Sequence, residues 1–157
     1  MIRLLLHSKS GSPKERLWSM VNDEQQKVVL DAVNKASARW QSSFNSGNAE
    51  GCAAQYESTA VMHARPFGTF TGTADIQEFW QKLIDDGFND VEYIEPRISV
   101  IDDKSAVLTS GWKMNKARGV IHKELWVLQE DGSAKLREDD FEATGKSTHL
   151  NPQAFSG

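Results

Sequence analysis

Gly119-Val120-Ile121-His122-Lys123-Glu124-Leu125-Trp126-Val127-Leu128-Gln129-Glu130, then Asp131-Gly132, then Ala134-Lys135-Leu136-Arg137-Glu138-Asp139-Asp140-Phe141, reads as a β-hairpin. Both arms are rich in β-branched, aromatic and alternating polar residues, and Asp-Gly between such arms favours a two-residue turn of the primed type, with positive φ at both central positions. That turn pairs Glu130 with Ser133 and so fixes the register. Glu124 then faces Asp139, Trp126 faces Arg137, and His122 faces Phe141. All six side chains share one face of the hairpin, because side chains alternate along a strand and opposed residues point the same way.

Two carboxyls about 5 Å apart at Cβ repel each other when both are ionised. Either His122 and Arg137 supply compensating charge, or the acids share a proton and one becomes a raised-pKa acid able to do general acid–base chemistry. A β-bulge or slipped register would instead turn Asp139 to solvent. Glu124, Asp139 and His122 are therefore the candidate catalytic residues, with His122 as a relay. Arg137 beside Trp126 reads as a cation–π and ion-pair brace.

Working outward, Val91 to Ser99 and Ser105 to Asn115 are extended, which implies a curved antiparallel sheet. A turn at Lys116-Ala117-Arg118 would pair Trp112 with His122 and Ser110 with Glu124, placing Ser110, Trp112 and Met114 beside the acids. Upstream, Val29, Val33, Ala36, Trp40 and Phe44 form the stripe of an amphipathic helix starting at Asn22 or Asp23 and stopped by Gly47. Asn48 caps a second helix through Tyr56, and Ala60 to Ala64 is a strand. Thr73 caps a third helix, in which Ile76, Phe79, Trp80, Leu83 and Ile84 recur at helical spacing before Gly87.

The chain has 157 residues, 39% hydrophobic and 25% charged, which suits one domain with a sizeable core. A net charge of −4 with no Lys/Arg stripe argues against a nucleic-acid binder. Cys52 is the one cysteine, so no intramolecular disulfide forms, and a reducing cytoplasm is expected. No stretch reads as a membrane span. The chain carries no compact metal-ligand motif, so no metal is expected, and Gly68-Thr69-Phe70-Thr71-Gly72 lacks the following lysine of a phosphate loop, so no cofactor is expected. Residues 1–21 read as an N-terminal extension, 22–145 as the domain and 146–157 as a tail.

The order of three helices and a long meander, with Arg39-Trp40-Gln41-Ser42-Ser43-Phe44, Gly72-Thr73-Ala74-Asp75-Ile76-Gln77-Glu78-Phe79-Trp80 and His122-Lys123-Glu124-Leu125-Trp126, resembles the SnoaL-like, ketosteroid isomerase-like branch of the nuclear transport factor 2-like superfamily over residues 23 to 143. The resemblance implies a cone-shaped α+β barrel, three N-terminal helices packed into a strongly curved antiparallel sheet that encloses an apolar pocket, commonly in a homodimer. Glu124 matches the late-strand acid of ketosteroid isomerases, whereas Trp40 stands where their tyrosine would be. Met62-His63-Ala64-Arg65 offers no carboxylate for their base. His122-x-Glu124 opposite Asp139 matches the Arg-x-Asp and second Asp of limonene epoxide hydrolases, with histidine in place of arginine.

On this reading Trp40, Tyr56, Met62, Phe67, Phe79 and Trp80 join Ser110, Trp112, Met114, Trp126 and Arg137 around the substrate. The expected function is binding of a small apolar or amphipathic molecule with isomerase-, lyase- or hydrolase-type chemistry. The alternatives are a non-catalytic ligand-binding protein and an epoxide hydrolase-like enzyme. Ile121, Leu125, Val127 and Leu136 would form an apolar outer face and a homodimer interface.

Overall fold

The computed structural model of the chain describes residues 12–146. Helix α1 (Pro13–Asn45) is followed by α2 (Ala49–Ala53), β1 (Tyr56–Arg65), β2 (Gly68–Thr71), α3 (Thr73–Asp85), β3 (Glu92–Val100), β4 (Ser105–Lys113), β5 (Arg118–Leu128) and β6 (Ala134–Gly145). The strands form one sheet in the order β2-β1-β6-β5-β4-β3. The α+β class is as expected, but the sheet is open and mixed. β1 runs parallel to β6, while every other pairing is antiparallel.

Three helix boundaries differ from expectation; at one, Gly72 rather than Thr73 is the N-cap of α3, with no side-chain cap, and Thr73 is the first helical residue. α1 begins at Pro13 and runs through Asn22 without a break, since a proline at the first helical position sacrifices only an N–H that would lack a helical partner anyway. The second helix stops at Ala53, and Tyr56 opens β1 opposite Leu136, with the Leu136 N–H donating to the Gln55 carbonyl at 2.7 Å. Gly47 and Gly87 take positive φ at the ends of α1 and α3, as their positions suggest. Residues 1–11 of the expected extension and 147–157 of the tail lie outside the described residues. No helix among the described residues is long and apolar enough to cross a membrane.

The core lies between α1, α3 and one face of the sheet. Val29, Val33, Ala36, Trp40 and Phe44 of α1 are all buried there, with Ile76 and Trp80 of α3 and Leu108, Trp126 and Leu136 of the sheet. Trp40 and Trp80 meet edge to face at 4.9 Å, and Trp80 stacks on Phe141 at 5.5 Å. Burial of this many aromatic rings is the main source of stability, because each removes a large apolar area from water.

The β5–β6 hairpin departs from its expected geometry in three places. Its turn is a three-residue loop: the Gly132 N–H donates to the Gln129 carbonyl at 3.0 Å, and the Gln129 N–H donates to the Ser133 carbonyl at 2.7 Å. Gly132 has positive φ and Asp131 does not. Asp131 instead accepts the Ser133 N–H and hydroxyl through Oδ1, an arrangement that favours the type I turn with a left-handed glycine. This moves the pairing by one residue, so Trp126 faces Leu136 rather than Arg137. A bulge at Arg137 then restores the expected alignment, and Glu124 faces Asp139. A second bulge at His122 places Ile121, not His122, opposite Phe141.

The β4–β5 pairing also carries a shift. Leu108 faces Glu124, Ser110 faces Ile121, and Trp112 faces Gly119, rather than Ser110 facing Glu124 and Trp112 facing His122. Bulges turn the side chains beyond them to the opposite face. Ile121 and Leu136 are therefore buried inward. The outer face keeps Leu125 and Val127, half-buried, beside ion pairs of Lys123 with Glu138 and Arg65 with Asp140.

Gly119 permits the close approach of strands at a further β5–β6 shift, between Arg118 and Gly119. A Cβ there would collide with the Glu142 carbonyl oxygen and lie 2.6 Å from the Trp112 ring. Neither neighbour can yield cheaply, so Gly119→Ala should lower stability by about 2 kcal/mol or more, seen as a lower urea midpoint. Gly132→Ala meets no atom within 4 Å and pays only for its positive φ, so its loss should be about 1 kcal/mol.

Candidate functional site

A cavity of about 710 Å³ opens beside α3 and reaches the inner face of β5 and β6. At its mouth are the exposed Phe67, Asp75, Glu78, Lys82 and Asp86, and at its inner end the buried Tyr56, Glu124, Leu136 and Asp139. The wall between them is aromatic, formed chiefly by Trp40, Phe79, Trp80, Tyr93, Trp112 and Phe141.

Glu124 and Asp139 are only 6% and 4% exposed. They face each other across β5 and β6, and both line the cavity. The Trp126 indole N–H donates to Glu124 Oε1 at 2.9 Å; these two residues stand two apart on one strand and so share a face. The Tyr56 hydroxyl donates to Asp139 Oδ2 at 2.7 Å. Thus β1 delivers the phenol, β5 the glutamate and its indole, and β6 the aspartate. The parallel β1–β6 pairing brings the first and last strands together.

Among the described residues, no cation pairs with either carboxyl. Burial pushes the Glu124 pKa well above the usual carboxylate range, and the Asp139 charge pushes it further, against the opposing Trp126 hydrogen bond. Burial also raises Asp139, to about 7, while donation from Tyr56 pulls it back and the Asp140 charge adds to the rise. Both carboxyls are thus raised and titrate as one coupled pair able to share a proton. Tyr56 is held neutral: burial, then the charges of Asp139 and Glu124, raise its pKa well above that of a free phenol. The phenol donates to Asp139 and so favours its carboxylate form, while Glu124 is the more strongly desolvated partner of the proton-sharing pair. This arrangement can give a proton from one oxygen and take one at another.

The other expected residues divide into three groups. Trp40, Tyr56, Phe67, Phe79, Trp80, Trp112 and Met114 line the cavity. Met62 and Trp126 are fully buried behind it: Met62 Sδ lies 3.7 Å from the Tyr56 hydroxyl oxygen, and Trp126 supports Glu124. His122, Arg137 and Ser110 do not reach it. His122 is the bulged residue of β5 and is exposed, with Nε2 2.9 Å from Glu142 Oε1. Its expected role as a relay between the acids therefore has no geometric basis. Arg137, the bulged residue of β6, is exposed and pairs with Glu57 at 2.8 Å rather than bracing Trp126. The Ser110 hydroxyl donates to the backbone, to the Ile94 and Gly111 carbonyls.

Several lining residues escape a sequence reading. Ile121 and Leu136 have outward parity until the bulges are counted. Tyr93 lies on an edge strand whose own shift, between Ile94 and Arg97, hides which residues point inward. Phe141 shares the acid face in any hairpin register close to the observed one, and that parity is the signal that could have found it.

No family model matches the chain, and no curated protein does. Solved structures do. A scytalone dehydratase-like protein from Novosphingobium aromaticivorans superposes with a TM-score of 0.68 over 83% of this chain and 94% of its own, at 13% identity. LinA gives 0.66 over 83% and 97%, at 9% identity. A ketosteroid isomerase-like protein from Erwinia carotovora atroseptica gives 0.63 over 74% and 96%, at 14% identity. These neighbours are members of the SnoaL-like, nuclear transport factor 2-like fold, and this chain has that fold.

Proposed function

We propose that the chain binds a small apolar or amphipathic molecule in the cavity and performs acid–base chemistry on it. Glu124 is the proton donor, Asp139 the proton acceptor, and Tyr56 the group that positions Asp139. The observation that carries this reading is the Glu124–Asp139 pair, buried without a cation at the inner end of an aromatic-walled cavity. A purely structural pair would be costly, since burying carboxyls away from water and counter-charge is unfavourable. Perturbed acids in a cleft are where catalytic groups are found.

The isomerase, lyase and hydrolase readings share these two groups, and the similar structures named above include dehydratase-like and isomerase-like proteins. In an isomerisation or elimination, Asp139 takes a proton from carbon and Glu124 protonates the oxygen or leaving group. In an epoxide opening, Asp139 would take a proton from the attacking water. His122 has no part in any of these, because it faces the other side of the sheet.

Turnover of epoxides, enones and hydroxylated aromatics by the wild type and by Glu124→Gln tests the proposal. The variant should lose roughly 100-fold or more in kcat on any substrate that turns over. Unchanged rates would sink the acid–base role, and ligand binding without turnover would make the chain a carrier.

The same pair predicts an inverted pH dependence of stability. Both folded pKa values lie above the unfolded ones, so the folded state holds more protons between about pH 4 and pH 7, and stability falls as pH rises through that window. The Asp139 share is at most about 4 kcal/mol. Glu57, Asp102, Asp131 and Asp140 have lowered pKa values, and their contributions are lost only at lower pH. Urea midpoints across this range should decline for the wild type and flatten for Asp139→Asn. A wild-type midpoint that rises from pH 4.5 to pH 7 would contradict the shared-proton state.

A homodimer through the outer sheet face is also proposed, now on Leu125 and Val127 with the charged pairs around them rather than on Ile121 and Leu136. Sedimentation at micromolar concentration should show a dimer that Leu125→Glu converts to monomer.

A further inference from the structure

Among the described residues, three buried side-chain polar atoms have no hydrogen-bond partner: the indole N–H groups of Trp40 and Trp80, and Asp139 Oδ1. All three residues line the cavity. Buried donors and acceptors are nearly always paired, and an unpaired one costs stability. A phenylalanine at position 40 or 80 would fill much the same apolar space without that cost. The rings cannot turn their N–H groups to solvent, since Trp40 stacks on Phe44 and abuts Trp80, which in turn stacks on Phe141. The Trp80 indole N–H reaches toward the Tyr56 hydroxyl, a hydrogen-bonding influence that opposes the rise in the Tyr56 pKa but falls outside the geometry that would satisfy the N–H, and that hydroxyl is bonded to Asp139. The donor side of the cavity is thereby joined to the acceptor side.

We propose that the indole N–H groups of Trp40 and Trp80 donate hydrogen bonds to the ligand, and that with Asp139 Oδ1 they select a neutral cyclic molecule bearing a hydroxyl over its bare hydrocarbon. A hydroxyl offers two lone pairs and one O–H, the complement of two donors and one acceptor. An ammonium would leave both N–H groups unpaired. A carboxylate would meet the negative charge of the acid pair and a mouth where Asp75, Glu78 and Asp86 face Lys82, with Lys116 bound to the Asp86 carbonyl. This inference rests on the reading of the cavity as a ligand site.

Equilibrium dialysis with 2-naphthol, 2-methoxynaphthalene, naphthalene and 2-naphthoate tests it. The wild type should bind 2-naphthol roughly tenfold more tightly than naphthalene, with 2-methoxynaphthalene between them because it accepts but cannot donate. 2-Naphthoate should bind more weakly than 2-naphthol. In Trp40→Phe and in Trp80→Phe, the 2-naphthol to naphthalene ratio should fall several-fold, whatever the change in naphthalene affinity from the smaller ring. The ratio within each variant cancels any general loss of folding or of aromatic wall, and measurable naphthalene binding shows that the cavity persists. Equal wild-type affinities for naphthalene and 2-naphthol, or ratios unchanged in both tryptophan variants, overturn the inference and leave the ligand site standing. Failure of the wild type to bind any of the four probes overturns the ligand-site reading as well.

Discussion

Two carboxyls face each other inside an apolar core with no cation among the described residues to neutralise them, and much of the molecule around the cavity is arranged to keep them there. Ionised together they would repel strongly in that environment. The cost falls when one proton is shared and when each acid has a donor, Trp126 for Glu124 and Tyr56 for Asp139. The phenol comes from the first strand and the aspartate from the last, so the parallel β1–β6 contact is both a structural and an electrostatic requirement of the site.

Bulges accomplish the separation of charge from core. Two basic side chains that stand two positions from the acids, His122 and Arg137, are each the extra residue of a bulge, and each turns outward to an acid on the other face, Glu142 or Glu57. Without these irregularities both would share the acid face, and the pair would become an ordinary ion cluster with low pKa values. The bulges also swing Ile121 and Leu136 inward, so the lining around the acids becomes apolar as the cations leave it. The two bulges thus leave the buried acids with apolar neighbours in place of His122 and Arg137.

Similarity to solved structures at 9–14% identity reaches the scaffold and stops there. Chemistry on a shared scaffold depends on which side chains face the cavity, and here these include a tyrosine, two acids and two indoles. Binding and proton transfer are separable in the proposed function: the aromatic wall and the indole donors would hold a ligand, and Glu124 and Asp139 would act on it.

The sequence by itself determined the α+β class, the amphipathic stripes of α1 and α3, and the pairing of Glu124 with Asp139. Those features follow from periodicity and local turn chemistry, which act over a few residues. The pairing was reached through compensating departures, because the three-residue turn shifted the register by one and the Arg137 bulge shifted it back. Where no second shift compensated, at His122 and at Ser110, the expected neighbours were wrong. The place of Tyr56 against Asp139, 83 positions apart, and the convergence of Trp40, Trp80 and Asp139 on one cavity were decided by tertiary structure alone. A bulge is stabilised by what packs beyond the strand, and a contact between the first and last strands exists only once the sheet has assembled; neither leaves a local pattern in the chain.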